Sequence, residues 1–295
     1  MNHNNDLPVS QPLLKVSHLT KSYKDFQLKD VSFTLPTGMI MGFLGKNGAG
    51  KSTTIKAIMD LINPDGGQID ILGMPMPEKG VEIKEYVGYV GDIPLLNQRW
   101  TVERTIQFSR QFYRKWDAEG VKALLNRFNL TPSKKVSQLS KGMKVKLSLL
   151  LALAHKPKLL LLDEPTSGLD PVAREEVLEL LFDFVQDESC GVLFSSHITT
   201  DVEKLADWVT MIDDGEVFVS EDKETLLDRY RRIIMTGQAN MTAYPLLFNG
   251  KQTRSGFVGY TDDYDVFKKL AVGDWHAERL TLEELFVLLA GQKGA

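Results

Sequence analysis

The sequence predicts an α/β fold: buried strands interleaved with helices, an antiparallel β portion near the start, and a small α/β appendage at the far end. Three observations lead there. Met39–Leu44 and Leu159–Leu162 are short apolar runs suited to strands covered on both faces, and each ends abruptly in glycine or acid. Helical periodicity follows the first of them, with Ile55, Ile58, Met59 and Ile62 on one face. Beyond about Tyr230 the character changes, with turn signals at Asn249 and Gly250.

The elements follow in order. Residues 1–12 are polar and Asn-rich, and read as a loose tail with neither the basic start nor the apolar core of a secretory signal. Leu13–Tyr23 and Leu28–Leu35 read as strands, and Pro36-Thr37-Gly38 as the turn before the strand at Met39. The helix after Ser52 is expected to run until the turn at Pro64–Gly67. Val87–Val90 is a short strand, and the stretch from Pro94 to His155 is mostly helical, broken at Pro132. Asp170 and Pro171 supply a cap and a first residue to a helix burying Val177, Leu180, Leu181, Phe184 and Val185. Gly191–Ser196 reads as a strand, then Trp208–Asp213 and Glu216–Val219 as a hairpin around Asp214-Gly215. In the appendage, Asp263–Leu270 is helix-like and Leu282, Leu285, Phe286 and Leu289 form the buried stripe of a last helix.

Composition narrows the class without naming it. Across 295 residues, 43% apolar and 25% charged content is that of an ordinary globular chain. A net charge of −4 gives no general affinity for nucleic acid. The single cysteine, Cys190, excludes an intrachain disulfide and reads as a buried residue beginning a strand. The most apolar stretch, Leu147–Ala154, is far shorter than the ~20 residues that span a bilayer. Work at a membrane would therefore need another polypeptide to do the spanning.

Residues Gly45-Lys46-Asn47-Gly48-Ala49-Gly50-Lys51-Ser52 fit G-x-x-x-x-G-K-[ST] without a mismatch. Glycines let successive backbone N–H groups turn inward toward phosphate oxygens, and the following helix aims its positive end at the same place. Lys51 is placed to reach the β- and γ-phosphates and Ser52 to ligate Mg²⁺, with Gly45, Asn47, Gly48, Ala49, Gly50 and Thr53 completing the ATP cradle. The fold class is thereby that of a P-loop NTPase core. Asp163 and Glu164 end a buried strand, and ligands of open α/β sheets sit at such carboxyl ends. Asp163 suits the Mg²⁺ shell, and Glu164 suits general-base activation of water.

Further motifs make the chain resemble the ABC ATPases over roughly Leu13–Tyr230. Leu139-Ser140-Lys141-Gly142-Met143 looks like that family's signature, departing from Leu-Ser-Gly-Gly-Gln at Lys141 and Met143 but keeping Ser140 and Gly142. Ser167-Gly168-Leu169-Asp170 resembles its D-loop, and His197 its switch histidine. Tyr23 matches the aromatic that stacks on adenine, and Asp92 stands where the family usually carries the Q-loop glutamine, with a metal contact implied. The resemblance implies a domain at 13–230 with a helical subdomain at about 94–155, and an accessory domain at 231–295. It also implies a site shared between two chains, with Ser140 and Gly142 facing the γ-phosphate bound by a partner. The implied partners are a second ATPase subunit, a copy or a paralogue, and a transmembrane permease whose coupling helix enters the groove near Asp92 and Pro94–Trp100. The chain would then lie at the cytoplasmic face of the cell membrane.

The form of the signature, the acid at Asp92 and the segment Leu280–Leu289 resemble exporter ATPases of antibiotics, antimicrobial peptides or lipids. An importer ATPase would more often keep the glutamine. A soluble ABC ATPase acting on ribosomes or DNA would carry two cassettes or a long coiled-coil insertion. A P-loop GTPase would show Asn-Lys-x-Asp, which the sequence lacks.

Overall fold

The computed structural model describes residues 11–93, 95–236, 245–254 and 256–292. The expected tail, apart from Gln11 and Pro12, lies outside the described residues, as does Pro94. The chain divides into two compact units, 1–220 and 221–295.

The first unit opens with β1 (Leu14–Ser22) and β2 (Gln27–Leu35), whose alternation of buried and exposed residues marks one covered face. Next comes β3 (Ile40–Leu44), buried at every position, then α1 (Lys51–Ile58), β4 (Gly66–Ile71), β5 (Met74–Met76), the single turn α2 (Gly80–Ile83) and β6 (Val87–Val90). Helices α3 (Val102–Arg110), α4 (Ala118–Arg127) and α5 (Lys141–Leu153) follow. Thr101, Asp117 and Ser140 cap them, each side chain accepting a hydrogen bond from a first-turn N–H. After them run β7 (Leu159–Asp163), α6 (Pro171–Phe184), β8 (Gly191–Ser196), α7 (Thr199–Leu205), β9 (Trp208–Asp213) and β10 (Glu216–Asp222).

Two sheets organise this unit. An antiparallel sheet has the order β2-β1-β4-β5. A six-stranded sheet has the order β10-β9-β3-β8-β7-β6, and its strands from β9 to β6 pair in parallel. The helical segment α3–α5 is inserted between β6 and β7, which are neighbours in the sheet. One apolar core joins the sheets through Leu14, Leu28, Phe33, Phe43, Ile55, Leu159 and Leu193. The connection between β9 and β10 is the expected Asp214-Gly215, both at positive φ (46° and 75°), as a tight type I′ turn needs.

Helix α1 stops at Ile58 rather than running on to Pro64. Asp60 takes a left-handed φ of 55°, and the N–H groups of Met59 and Asp60 bond back into the last turn. The apolar stripe outlives the helix: Ile62 still packs on the same core from irregular chain. Cys190 is buried just ahead of β8, and burial pushes its thiol up to about 11.

The second unit starts with α8 (Lys223–Arg229), which periodicity did not single out. Then come β11 (Arg231–Met235), β12 (Phe248–Thr253), β13 (Gly256–Thr261), α9 (Tyr264–Leu270), β14 (Trp275–Arg279) and α10 (Leu282–Gln292). The strands form an antiparallel sheet in the order β12-β13-β11-β14. Phe267 of α9 packs on Ile233 and Met235, with its ring edge-on to Trp275 at 5.4 Å. Leu282, Leu285, Phe286 and Leu289 are all buried, as the stripe predicts. Within this unit α8 packs against α9.

Candidate nucleotide site

Four motifs stand at the carboxyl ends of adjacent parallel strands. Gly45 follows β3, Glu164 follows β7, His197 follows β8, and Gly91-Asp92 follows β6. In an open α/β sheet that edge is where ligands bind.

The loop from Gly45 to Gly50 exposes Lys46, Asn47 and Gly48 at its tip and buries Gly45, Ala49 and Gly50. Gly50 sits at φ 114°, and a β-carbon there would lie 2.6 Å from Leu28 Cδ2 and 2.9 Å from Phe26 Cζ. Gly48, at φ 82°, faces open space, so its role is conformational alone. As N-cap of α1, Gly50 offers no side-chain acceptor. The first-turn N–H groups of Lys51, Ser52 and Thr53, together with the helix dipole, are thus left for an anion. That fits a phosphate.

Lys51 is only 5% exposed. Its ammonium donates to Gly45 O (2.7 Å) and Lys46 O (3.1 Å) and lies 3.2 Å from Glu164 Oε1. The other Glu164 oxygen, Oε2, is 2.7 Å from His197 Nδ1. The structure therefore brings the expected lysine, acid and histidine into one chain of contacts. Asp163 is buried and accepts hydrogen bonds on Oδ1 from Ser52 Oγ (3.0 Å) and Ser195 Oγ (2.8 Å). Among the described residues no group of three or more His, Cys, Asp or Glu could hold a metal unaided. Mg²⁺ typically takes one or two carboxylates with substrate phosphates and water, so Ser52 and Asp163 beside a phosphate cradle suit it.

A 720 Å³ cleft joins Ser52 and Asp163 to Tyr89, Gly91, Asp92, Ile93, Leu95 and Tyr113. Asp92 is exposed on it. Burial first, then the charges of Asp163 and Asp92, push the Tyr89 hydroxyl above its ordinary pKa of 10.0. Trp100 is half-buried, edge-on to Phe108 at 4.9 Å, and Phe108 in turn to Phe112 at 5.0 Å. Tyr23 stands in the β1–β2 turn, 49% exposed, with Lys21 Nζ 5.7 Å from its ring centre. It is not a core tyrosine, and its turn carries the Phe26 ring that abuts Gly50.

Ser140 and Asp170 serve as N-caps, and both are exposed. Asp170 accepts from Val172 N and Ala173 N, and those bonds hold its carboxyl below the usual range. Gly142 is buried, and a β-carbon there would meet Ala173 Cβ at 3.1 Å and Leu169 Cδ2 at 3.8 Å. In the same way Lys141 Nζ lies 2.7 Å from where Gly168 would carry a β-carbon. The signature and D-loop segments thus pack on each other within one chain, which motif order alone did not reveal.

Two further features were missed. Ser195 bonds to both acids at the end of β7. A buried network also joins Thr166 Oγ1 to Asp201 Oδ2 (2.6 Å) and Arg174 Nε to Asp201 Oδ1 (2.6 Å). The only sequence signal was polarity inside otherwise apolar segments, as at Ser195-Ser196.

Comparison with known proteins bears on family and fold. The ABC transporter family profile matches residues 28–167. The ABC transporter ATP-binding protein YtrB of Bacillus subtilis (strain 168) is 30% identical over 290 residues, 95% of this chain and 99% of that protein. Nod factor export ATP-binding protein I of Rhizobium meliloti (strain 1021) is 35% identical over 230 residues, 75% of this chain and 68% of that protein. A solved structure of an ATP-binding subunit of an ABC transporter matches with a TM-score of 0.67 at 30% identity, over 73% of this chain and 92% of that one. The chain belongs to the ABC transporter ATP-binding family. It is an ATPase with the P-loop α/β fold, and it supplies the nucleotide-driven motor of an ABC transporter. Among the described residues no helix is long and apolar enough to cross a membrane.

Proposed function

We propose that the chain drives an exporter from the cytoplasmic face of the membrane, bound to a separate permease and paired with a second ATPase subunit. Residues 13–230 form the ATPase domain, with its helical subdomain at about 94–155, and 231–295 an accessory domain. The observation that carries the hydrolytic reading is the Lys51–Glu164–His197 chain of contacts beside an uncapped helix N-terminus. Kinship with a Nod factor export protein, together with Lys141 and Met143 in the signature, supports export over import.

In this reading the N–H groups of residues 47–53 and the Lys51 ammonium hold the phosphates, and Tyr23 stacks on the base. Mg²⁺, when bound, supplies positive charge against the phosphate oxygens. Ser52 and Asp163, with Asp92 on the same cleft, are the residues that would hold it. Glu164 takes the proton of the attacking water, and His197 keeps the carboxylate oriented. Ser140, Gly142 and Asp170 of the second subunit close over the nucleotide. Closure makes contacts that exist only with the γ-phosphate present, so hydrolysis releases them.

Two variants test this. Lys51→Ala should lose ATP affinity in a direct binding titration, and unchanged affinity would remove the lysine from the cradle. Glu164→Gln should bind ATP normally and lower steady-state turnover by ~10²–10⁴-fold, the usual contribution of a general base. Wild-type turnover would contradict that role.

A further inference from the structure

We propose that Ser195 is a positioning residue that sets both acids at the end of β7 for hydrolysis. The inference rests on the roles proposed for Asp163 and Glu164. Strand β8 lies between β3, which carries the phosphate loop, and β7, which carries the acids. Ser195 is in register with Phe43 on one side and Asp163 on the other, and its side chain is fully buried.

A serine hydroxyl has one proton to give and two lone pairs. Here the proton goes to Asp163 Oδ1 at 2.8 Å, and a lone pair accepts Glu164 N–H at 3.0 Å. Asp163 Oδ1 also accepts from Ser52 at 3.0 Å, so hydroxyls from α1 and β8 fix the same oxygen. Glu164 has left the strand, with a φ of 53° that side chains bearing a β-carbon disfavour. Such a conformation persists only where the surroundings over-determine it. Ser195 Oγ is what catches the N–H that this turn takes out of the ladder. Two residues on, just past the end of β8, His197 Nδ1 lies 2.7 Å from Glu164 Oε2. Ser195 near the end of β8 and His197 just past it therefore hold Glu164 at backbone and side chain together, and a small displacement of a catalytic group is costly in rate.

Alanine at 195 leaves the Glu164 N–H unpaired and frees one side of Asp163. Ser195→Ala is expected to lower kcat by roughly 10- to 100-fold, with KM for ATP changed by less than about twofold, as for an interaction made in the transition state. Ser195→Thr, which keeps the hydroxyl, should recover most of the rate. In a Glu164→Gln background Ser195→Ala should remove little more, because the residue acts through Glu164. A merely structural serine would instead cost the same factor in both backgrounds. ATP affinity on the same preparations reports folding. Should the alanine protein fail to bind ATP, Ser195→Cys, similar in size but a weak donor, takes its place with the same expected loss. Turnover within twofold of wild type in the alanine protein, or full additivity with Glu164→Gln, overturns the proposal. Undiminished turnover in Glu164→Gln alone would instead strike the assignment beneath it.

Discussion

At the residue scale, the side chains of the site hold one another, and among the described residues few buried side-chain polar atoms lack a partner. Lys51 is buried against Glu164, and Glu164 against His197, so the loss of any one leaves a partner exposed to a changed field. His155 differs. It is buried and stacked on Tyr113 at 4.0 Å, with Nε2 3.2 Å from Val87 O and Nδ1 without a hydrogen-bond partner among the described residues. Burial pulls its pKa below the ordinary 6.5, although Val87 O and Glu85 pull the other way. The unfolded chain therefore binds the proton more readily than the folded one. Its contribution is intact above pH 6.5 and is lost as pH falls toward the lowered folded value. The melting temperature should drop between about pH 7.5 and about pH 5.5, and His155→Phe, which keeps the stack, should drop less. Equal slopes for the two proteins would show that His155 does not titrate on unfolding.

At the scale of elements, β7 shows how packing positions chemistry. Leu159, Leu160, Leu161 and Leu162 are all fully buried, on both faces of the sheet, and the strand ends at Asp163. Leu161→Ala should cost about 2–5 kcal/mol in urea unfolding, the range for core leucines. Leu61→Ala, at a position 54% exposed, should stay within about 0.5 kcal/mol of wild type. Similar losses at both positions would mean that β7 is not the rigid support described. Strands of this kind were legible because a run buried on both faces has no polar phase to hide it, and β6, β7 and β8 fall where the apolar runs lie. The end of α1 was not legible, since the i, i+3, i+4 stripe continues through Ile62 after the backbone has turned at Asp60. Helix α8 is short, and only two of its residues, Leu226 and Leu227, are buried; two adjacent apolar residues define no period.

For the whole molecule, function follows from strand order. The chain winds so that phosphate loop, acids, histidine and Asp92 all emerge on one edge of one sheet. Motifs in sequence could place each at a strand end, and so most of the candidate site was legible from the residues alone. Ser195 was not, because its meaning lies in register: a hydroxyl inside an apolar run is unremarkable until β8 is seen beside β7. Nor was the packing of Gly142 against Ala173, which joins segments far apart in the chain. Most direct as a test of the hydrolytic site is the fate of bound ATP in a single turnover, read as the nucleotide recovered from wild-type and Glu164→Gln protein. Wild type should yield ADP, while Glu164→Gln should still hold intact ATP after many wild-type turnover times. Cleavage in Glu164→Gln at the wild-type rate would contradict the assignment of the general base and the reading of the edge built around it.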